Sequence, residues 1–323
     1  MNFRIKREYN YSDVYLVPRK CVVESRSECD TSVQFGPKKF DMPVVAANMK
    51  SVVNKETCKF FAKNNWYYVM HRFGIDLQSF VQEMKCANLF TSISIGVNKD
   101  TYDQLSDLIT SGLNKHLDYA TLDIAHAWSP KAERMCKWFK DHFPNTFLTV
   151  GNIATGEAIS EMLRIKEIDA YKVGIGGGKT CITRLKTGFT RPMISTLIEC
   201  CSDDITDKPI IADGGIQEHG DIAKAIACGA TMVMAGSLFC GYDQSASEII
   251  EIEGKKHSVY FGSASEYNKG TYNHVEGKKI LLDYKGDMQK LLVELKQDLQ
   301  SSISYAGGKN LNSLLSCDFV AIN

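Results

Sequence analysis

PIIADGGIQEHGDIAKAIACGATMVMAGS, residues 209–237, reads as strand, glycine turn, helix, strand and glycine turn. Pro209–Ala212 and Thr231–Ala235 are short apolar runs without strict alternation, the pattern of strands covered on both faces of a parallel sheet. Between them Ile222, Ala225 and Ile226 share one helical face. Gly229 stands where a helix can end in a left-handed residue. The stretch is therefore a strand–helix–strand unit with a glycine turn after each strand.

Six earlier runs have the same character: Pro43–Ala47, Tyr67–Met70, Ser92–Gly96, Tyr119–Ile124, Phe147–Val150 and Ala170–Gly174. Helical segments lie between them. Ser129 and Pro130 form a cap and first-turn proline ahead of Ala132, Met135, Cys136 and Phe139 on one face. Thr155 caps a helix expected to bury Ile159, Met162 and Leu163, and Met288, Leu291, Leu292, Leu295 and Leu299 make a last stripe. Eight alternations in 323 residues predict an α/β fold, a single-domain (β/α)8 TIM barrel over residues 1–323. An open doubly wound sheet is the alternative. The polar, hairpin-like segment of about 242–287 follows strand eight, where an active-site lid would sit.

Composition narrows the function. Lys plus Arg and Asp plus Glu both number 38, a balance that does not suit coating of nucleic acid or an anionic membrane. No apolar run approaches the roughly 18 residues of a membrane helix. The polar start MNFRIKREYNY has no apolar signal core. The 11 cysteines show no metal or disulfide spacing, so a reducing cytoplasm is expected, with ten of them as small core hydrophobes.

Barrel enzymes work at the C-terminal ends of their strands. Three of those ends are unusual here: the loop 174–184 after strand six, Asp213-Gly214-Gly215 after strand seven, and Gly236-Ser237 after strand eight. Glycines after strands seven and eight let backbone N–H groups approach a phosphate, and a carboxylate at a strand end can accept from a ribose diol. The strand-six loop fits neither a Walker A nor a dinucleotide GxGxxG pattern. It presents Cys181 among glycines with Lys179 nearby, a setting that can expose and activate a thiolate nucleophile. Glycines that only make turns, and a cysteine that only packs, are the plainer readings of the same residues. Lys172, within strand six, is the single candidate base for a sugar-phosphate isomerase or aldolase reading.

GIGGGKTCITR (174–184), ADGGI (212–216), MAGSLF (234–239), FGSASE (261–266) and VEGKK (275–279) occur in that order. Together with SRSECD (25–30), VVAANM (44–49), MHRF (70–73) and SSISYAGG (301–308), they make the chain resemble the IMP dehydrogenase/GMP reductase family, and within it the bacterial-type reductase branch. The resemblance covers almost the whole chain. It implies a homotetrameric (β/α)8 barrel that converts GMP and NADPH to IMP, ammonia and NADP⁺ through a thioimidate on Cys181, with Thr183 and Glu276 relaying a proton to the ammonia. It further implies that Asp213 binds the ribose diol, that Gly214, Gly215, Gly236, Ser237 and Lys179 hold the phosphate, and that Met49, Gly262, Ser263 and Gly277 lie along the base. For NADPH the matching positions are Ser25, Arg26, Arg72, Asp123, Ala125, Ile175 and Gly176. Carbonyls of Gly176, Gly178, Cys181 and Arg184 match a monovalent-cation site, taken here as potassium. Gly177 and Lys179 stand where many relatives have Pro and Ser, and Asn273 and Val275 stand where the animal-type pattern has Arg and Ser.

Two rivals are weighed against this. An IMP dehydrogenase lacking its regulatory domain is disfavoured because 276 is Glu rather than Gln, the segment after strand eight lacks an Arg-Tyr dyad, and about 20 residues between strands two and three leave no room for that domain. A non-catalytic purine-nucleotide-binding barrel needs neither Cys181 nor Glu276.

Overall fold

The computed structural model describes residues 5–270 and 273–322. Eight parallel strands form one sheet: β1 (Val44–Ala46), β2 (Tyr67–Tyr68), β3 (Ser92–Ile95), β4 (Tyr119–Asp123), β5 (Phe147–Ile153), β6 (Ala170–Val173), β7 (Ile210–Asp213) and β8 (Met232–Ala235). The hydrogen-bonded order runs β2-β1-β8-β7-β6-β5-β4-β3. Its two edges then meet, because Met70 N donates to Ser92 O (3.1 Å) and Ser94 N donates to Met70 O (2.8 Å). Closure removes the exposed edges an open sheet would have and makes this the (β/α)8 barrel, not the doubly wound alternative. All eight expected runs are strands of the barrel.

Helices cover the barrel where the apolar stripes predict. Ser129 Oγ accepts from Ala132 N, and Ala132, Met135, Cys136 and Phe139 are buried. Thr155 caps its helix, with Ile159 and Met162 buried. Leu163, expected in the core, is 37% exposed because the helix ends at Met162 and the chain turns there. Helix His219–Ala227 buries Ile222, Ala225 and Ile226 and is followed by Gly229 at φ +99°. Helix Met288–Tyr305 buries all five leucine-stripe positions.

Two features were not expected. The hairpin of Val33–Phe35 and Lys38–Phe40 inserts Phe35 and Phe40, both fully buried, against Tyr67, Tyr119 and Phe147 at the N-terminal ends of β2, β4 and β5. It plugs the end of the barrel opposite the cleft, and Tyr119 OH donates to Phe35 O at 2.8 Å. Strand Val14–Leu16 also pairs antiparallel with Phe319–Ala321, joining the two ends of the chain. Segment 242–287 is more than a hairpin, since Ile249–Ile252, Lys255–Phe261 and Lys279–Asp283 make a three-stranded antiparallel sheet. No helix among the described residues is long and apolar enough to cross a membrane.

Candidate active site

A cleft of 440 Å³ opens at the C-terminal ends of the strands. Gly174 begins the cysteine loop at φ +138°, and a Cβ there would lie 2.0 Å from Asp213 O, so only glycine lets this loop pass over the end of β7. The loop then runs antiparallel to 276–278. Ile182 N donates to Glu276 O (2.8 Å) and Lys278 N donates to Thr180 O (2.9 Å). This pairing brings three side chains into line. Cys181 Sγ lies 3.1 Å from Thr183 Oγ1, and Thr183 Oγ1 donates to Glu276 Oε2 at 2.6 Å. A partly buried thiol, a hydroxyl and a carboxylate in that order can pass a proton between the sulfur's neighbourhood and the carboxylate.

The other half of the nucleotide side follows from β7 and β8. Asp213 takes bonds from Lys172 and from Asn152 Nδ2 (2.8 Å), both on Oδ2. Among the described residues its Oδ1 takes no bond, so it remains available to a ligand hydroxyl. Gly214, Gly215, Gly236, Ser237 and Lys179 line the adjoining wall. A Cβ on Gly236 would sit 2.4 Å from the Tyr260 hydroxyl, so this glycine keeps the corner open. Met49, Gly262, Ser263 and Gly277 complete the wall, and Tyr260 OH reaches Met49 Sδ at 3.6 Å.

Beyond the sulfur, the cleft continues past Asp123, Ala125, Ile175, Gly176, Arg72 and Phe73. Arg72 lies over the Phe73 ring (4.7 Å), and its Nε is buried without a partner. An orphaned guanidinium N–H beside an aromatic face can receive a planar ligand group that carries an acceptor. Burial opposes the charge on Asp123, yet Lys172, Arg72 and Asn48 outweigh it and hold the carboxyl below its usual range. Lys172 shows the same balance with the opposite sign. Burial pulls its ammonium down, but Asp123 and Asp213 together keep it charged, so it cannot act as the base of an isomerase or aldolase.

Three expected positions fall elsewhere. Ser25 caps a short turn, and Arg26 donates to Ser301 Oγ and Tyr305 OH, both at 3.2 Å, on the helix Met288–Tyr305. Neither lines the cleft of its own chain, because the segment 23–29 packs on the flank of the barrel. Arg184 also lies outside the lining. Three of the carbonyls expected around a monovalent cation accept hydrogen bonds. Gly176 O accepts from the Arg184 guanidinium (3.2 Å), Gly178 O from Cys181 N (3.0 Å) and Arg184 O from Gly188 N (3.2 Å). A carbonyl oxygen has two lone pairs, so each of these three keeps capacity for a further contact. Among the described residues no cluster of three His, Cys, Asp or Glu side chains could hold a metal.

The cysteines divide differently from the expectation. Cys29, Cys58, Cys136, Cys200, Cys228, Cys240 and Cys317 are buried and Cys201 is half-buried, but Cys21 and Cys86 are exposed. Burial pushes the Cys136, Cys200 and Cys228 thiols up to about 12, which leaves them unreactive. Residues that pattern reading missed include Asn48, Phe73, Asn152 and Tyr260. Asn48 and Phe73 lie within the quoted stretches VVAANM and MHRF without being singled out, and Asn152 and Tyr260 lie outside every quoted stretch.

His71, at the end of β2, shapes the Arg72 loop. Its Nδ1 accepts from Phe73 N at 3.1 Å. Burial, and then the charge of Lys50, hold the imidazole down at about 4. The unfolded chain binds a proton near pH 6.5 that the fold refuses, so stability is full above that pH and falls as pH drops towards about 4. The expected loss is on the order of 3 kcal/mol. Melting curves of the protein and of His71→Asn across this window check it: the variant retains an acceptor for Phe73 and loses that part of the decline.

Fold and site together define a (β/α)8 barrel whose cleft holds a cysteine, a hydroxyl and a carboxylate in line. Residues 8–323 match the family model described as the IMP dehydrogenase / GMP reductase domain. The chain is similar to a GMP reductase of Chromobacterium violaceum, 59% identical over 318 residues covering 98% of this chain and 99% of that protein. GMP reductases of Staphylococcus epidermidis and Staphylococcus aureus are each 49% identical, covering 97% of this chain and 96% of theirs. The chain belongs to the IMP dehydrogenase/GMP reductase family and is an oxidoreductase that uses a nicotinamide cofactor.

Proposed function

We propose that the chain reductively deaminates GMP to IMP, with NADPH as reductant. The observation that carries this reading is the line Cys181–Thr183–Glu276, in which a carboxylate rather than an amide stands behind the hydroxyl. Asp213 Oδ1 accepts from the ribose diol, and the backbone at Gly214, Gly215 and Gly236 takes the phosphate with Ser237 and Lys179. The base lies between Met49 and the glycines at 262 and 277.

Cys181 Sγ attacks C2 of the purine. A C–S bond forms, the C2–N bond to the exocyclic amine breaks, and the thiol's proton leaves with ammonia. Thr183, whose hydroxyl donates to Glu276, passes the thiol's proton to that carboxylate, and the protonated Glu276 then returns it through Thr183 to the departing amine. When bound, the reduced dinucleotide supplies the hydride that C2 takes up. Cys181 then departs as thiolate, a role for which a soft sulfur is a good leaving group. Asp123, Ala125, Ile175, Gly176 and the Arg72–Phe73 pair would hold the dinucleotide next to the sulfur. Ser25 and Arg26 join this set only if they reach a neighbour's cleft, as a homotetramer would allow. Segment 242–287 acts as lid as well as wall. Eleven free cysteines, two of them exposed, support work in the reducing cytoplasm.

Incubation with GMP and NADPH tests the reading. Loss of nicotinamide absorbance matched by ammonia and IMP is expected. Inert GMP, with NAD⁺ reduced in the presence of IMP, overturns it in favour of a dehydrogenase.

A further inference from the structure

At the wall of the cleft lies a charged cluster in which one member, Lys172, has no role in the steps above. Lys172 is only 2% exposed, and its ammonium binds Asn152 Oδ1 (2.5 Å), Asp123 Oδ1 (2.9 Å) and Asp213 Oδ2. An ammonium has three donors, so all are spent. The partners come from β4, the end of β5 and β7, and the lysine from β6. Asn48 Nδ2 fixes the far oxygen of Asp123 at 2.9 Å, and Asn152 Nδ2 also holds Gly174 O at 2.6 Å, where the cysteine loop begins. Two carboxylates thus share one cation, one in each half of the cleft. Without it the two like charges would repel each other.

We propose that Lys172 is a positioning residue for both ligands: by bridging Asp123 and Asp213 it holds each carboxylate fixed where its half of the cleft needs an acceptor. The proposal rests on the functional reading above, in which Asp213 serves the nucleotide and Asp123 the dinucleotide. Lys172 bonds to no member of the Cys181–Thr183–Glu276 line. Its effect therefore falls on binding before chemistry.

Calorimetry with GMP, and tryptophan fluorescence with NADP⁺, on Lys172→Met and Lys172→Arg test this. Each Kd is divided by that of the unaltered protein at the same pH, so that the titration of GMP's own phosphate cancels. Lys172→Met should raise both ratios about tenfold or more at about pH 8, because each carboxylate loses a charged hydrogen bond. The GMP ratio should grow by roughly a further threefold at about pH 6, since the two bare carboxylates then share a proton and a protonated carboxyl accepts poorly from a diol. Arg72 faces Asp123, and the phenols of Tyr11 and Tyr260 face Asp213. Arginine keeps its charge in this window, and burial holds both phenols neutral. Cys181 and His274 line the same cleft but are present in every variant and cancel. Lys172→Arg should keep both ratios nearly flat.

Should Lys172→Met fail to fold, Asp123→Asn combined with Lys172→Met removes one carboxylate along with the cation. That variant should fold and bind GMP with a ratio independent of pH. A Lys172→Met protein that binds both ligands as the unaltered chain does, or a double variant that keeps the acid-dependent loss, overturns the proposal. Failure of the unaltered protein to bind GMP overturns the functional reading instead.

Discussion

Replacing Cys181 with alanine should lower kcat for GMP by about 10⁴-fold or more while Kd for GMP stays within about threefold. The side chain is small and only partly buried, and its one polar contact in the fold is with Thr183, so its loss leaves the cleft intact. The diol, phosphate and base contacts reside on other residues and persist. What disappears is the only route by which C2 gains a good leaving group before hydride arrives. Rapid-quench measurement of ammonia release, alongside calorimetry, separates the two quantities. Turnover that survives in Cys181→Ala excludes the covalent path, and a parallel collapse of GMP binding would show that the cysteine loop had moved rather than lost its nucleophile.

The second large effect concerns the proton path. Glu276→Gln keeps the shape of the side chain and removes the ionisable group behind Thr183. Thr183→Val keeps the volume and removes the hydroxyl. Each should slow ammonia release by about 10²- to 10³-fold, the usual range for losing a positioned acid or base. The two groups are 2.6 Å apart and act in series, so the double variant should be scarcely worse than either single one. Effects that multiply instead would mean that Thr183 and Glu276 act independently. Since Glu276 also receives Ile182 N on its backbone carbonyl, the Gln substitution leaves the pairing of the two segments in place.

Much of this site could be read along the chain. The cysteine loop, the Asp-Gly-Gly turn and Gly236-Ser237 are each continuous in sequence, and strand ends are where a barrel places its chemistry. Glycines declare themselves because the backbone must pass closely, as at Gly174. Other residues gave no such signal. Tyr260 reaches the corner at Gly236 from a strand of the sheet that follows the barrel, and nothing in its neighbours' identity announces that reach. Within its own chain Arg26 donates to Ser301 and Tyr305, a pairing that its neighbours in sequence do not announce.

The sequence by itself determined eight strand–helix repeats, because short doubly buried runs must be covered by amphipathic helices, whereas the closure of their sheet into a barrel rests on the meeting of its edges at Met70, Ser92 and Ser94. It also determined which strand ends are chemical, because glycine and cysteine are conspicuous there. Only the tertiary structure decided which side chains meet. Thr183 and Glu276 are 93 residues apart and are joined by the antiparallel pairing of two loops. Lys172 meets Asp123 and Asp213 because neighbouring strands bring their ends to one level, and because a buried ammonium is stable only where opposite charge surrounds it. Local pattern specifies backbone shape, whereas pairing of charges across the cleft depends on distances that exist only after the barrel has closed.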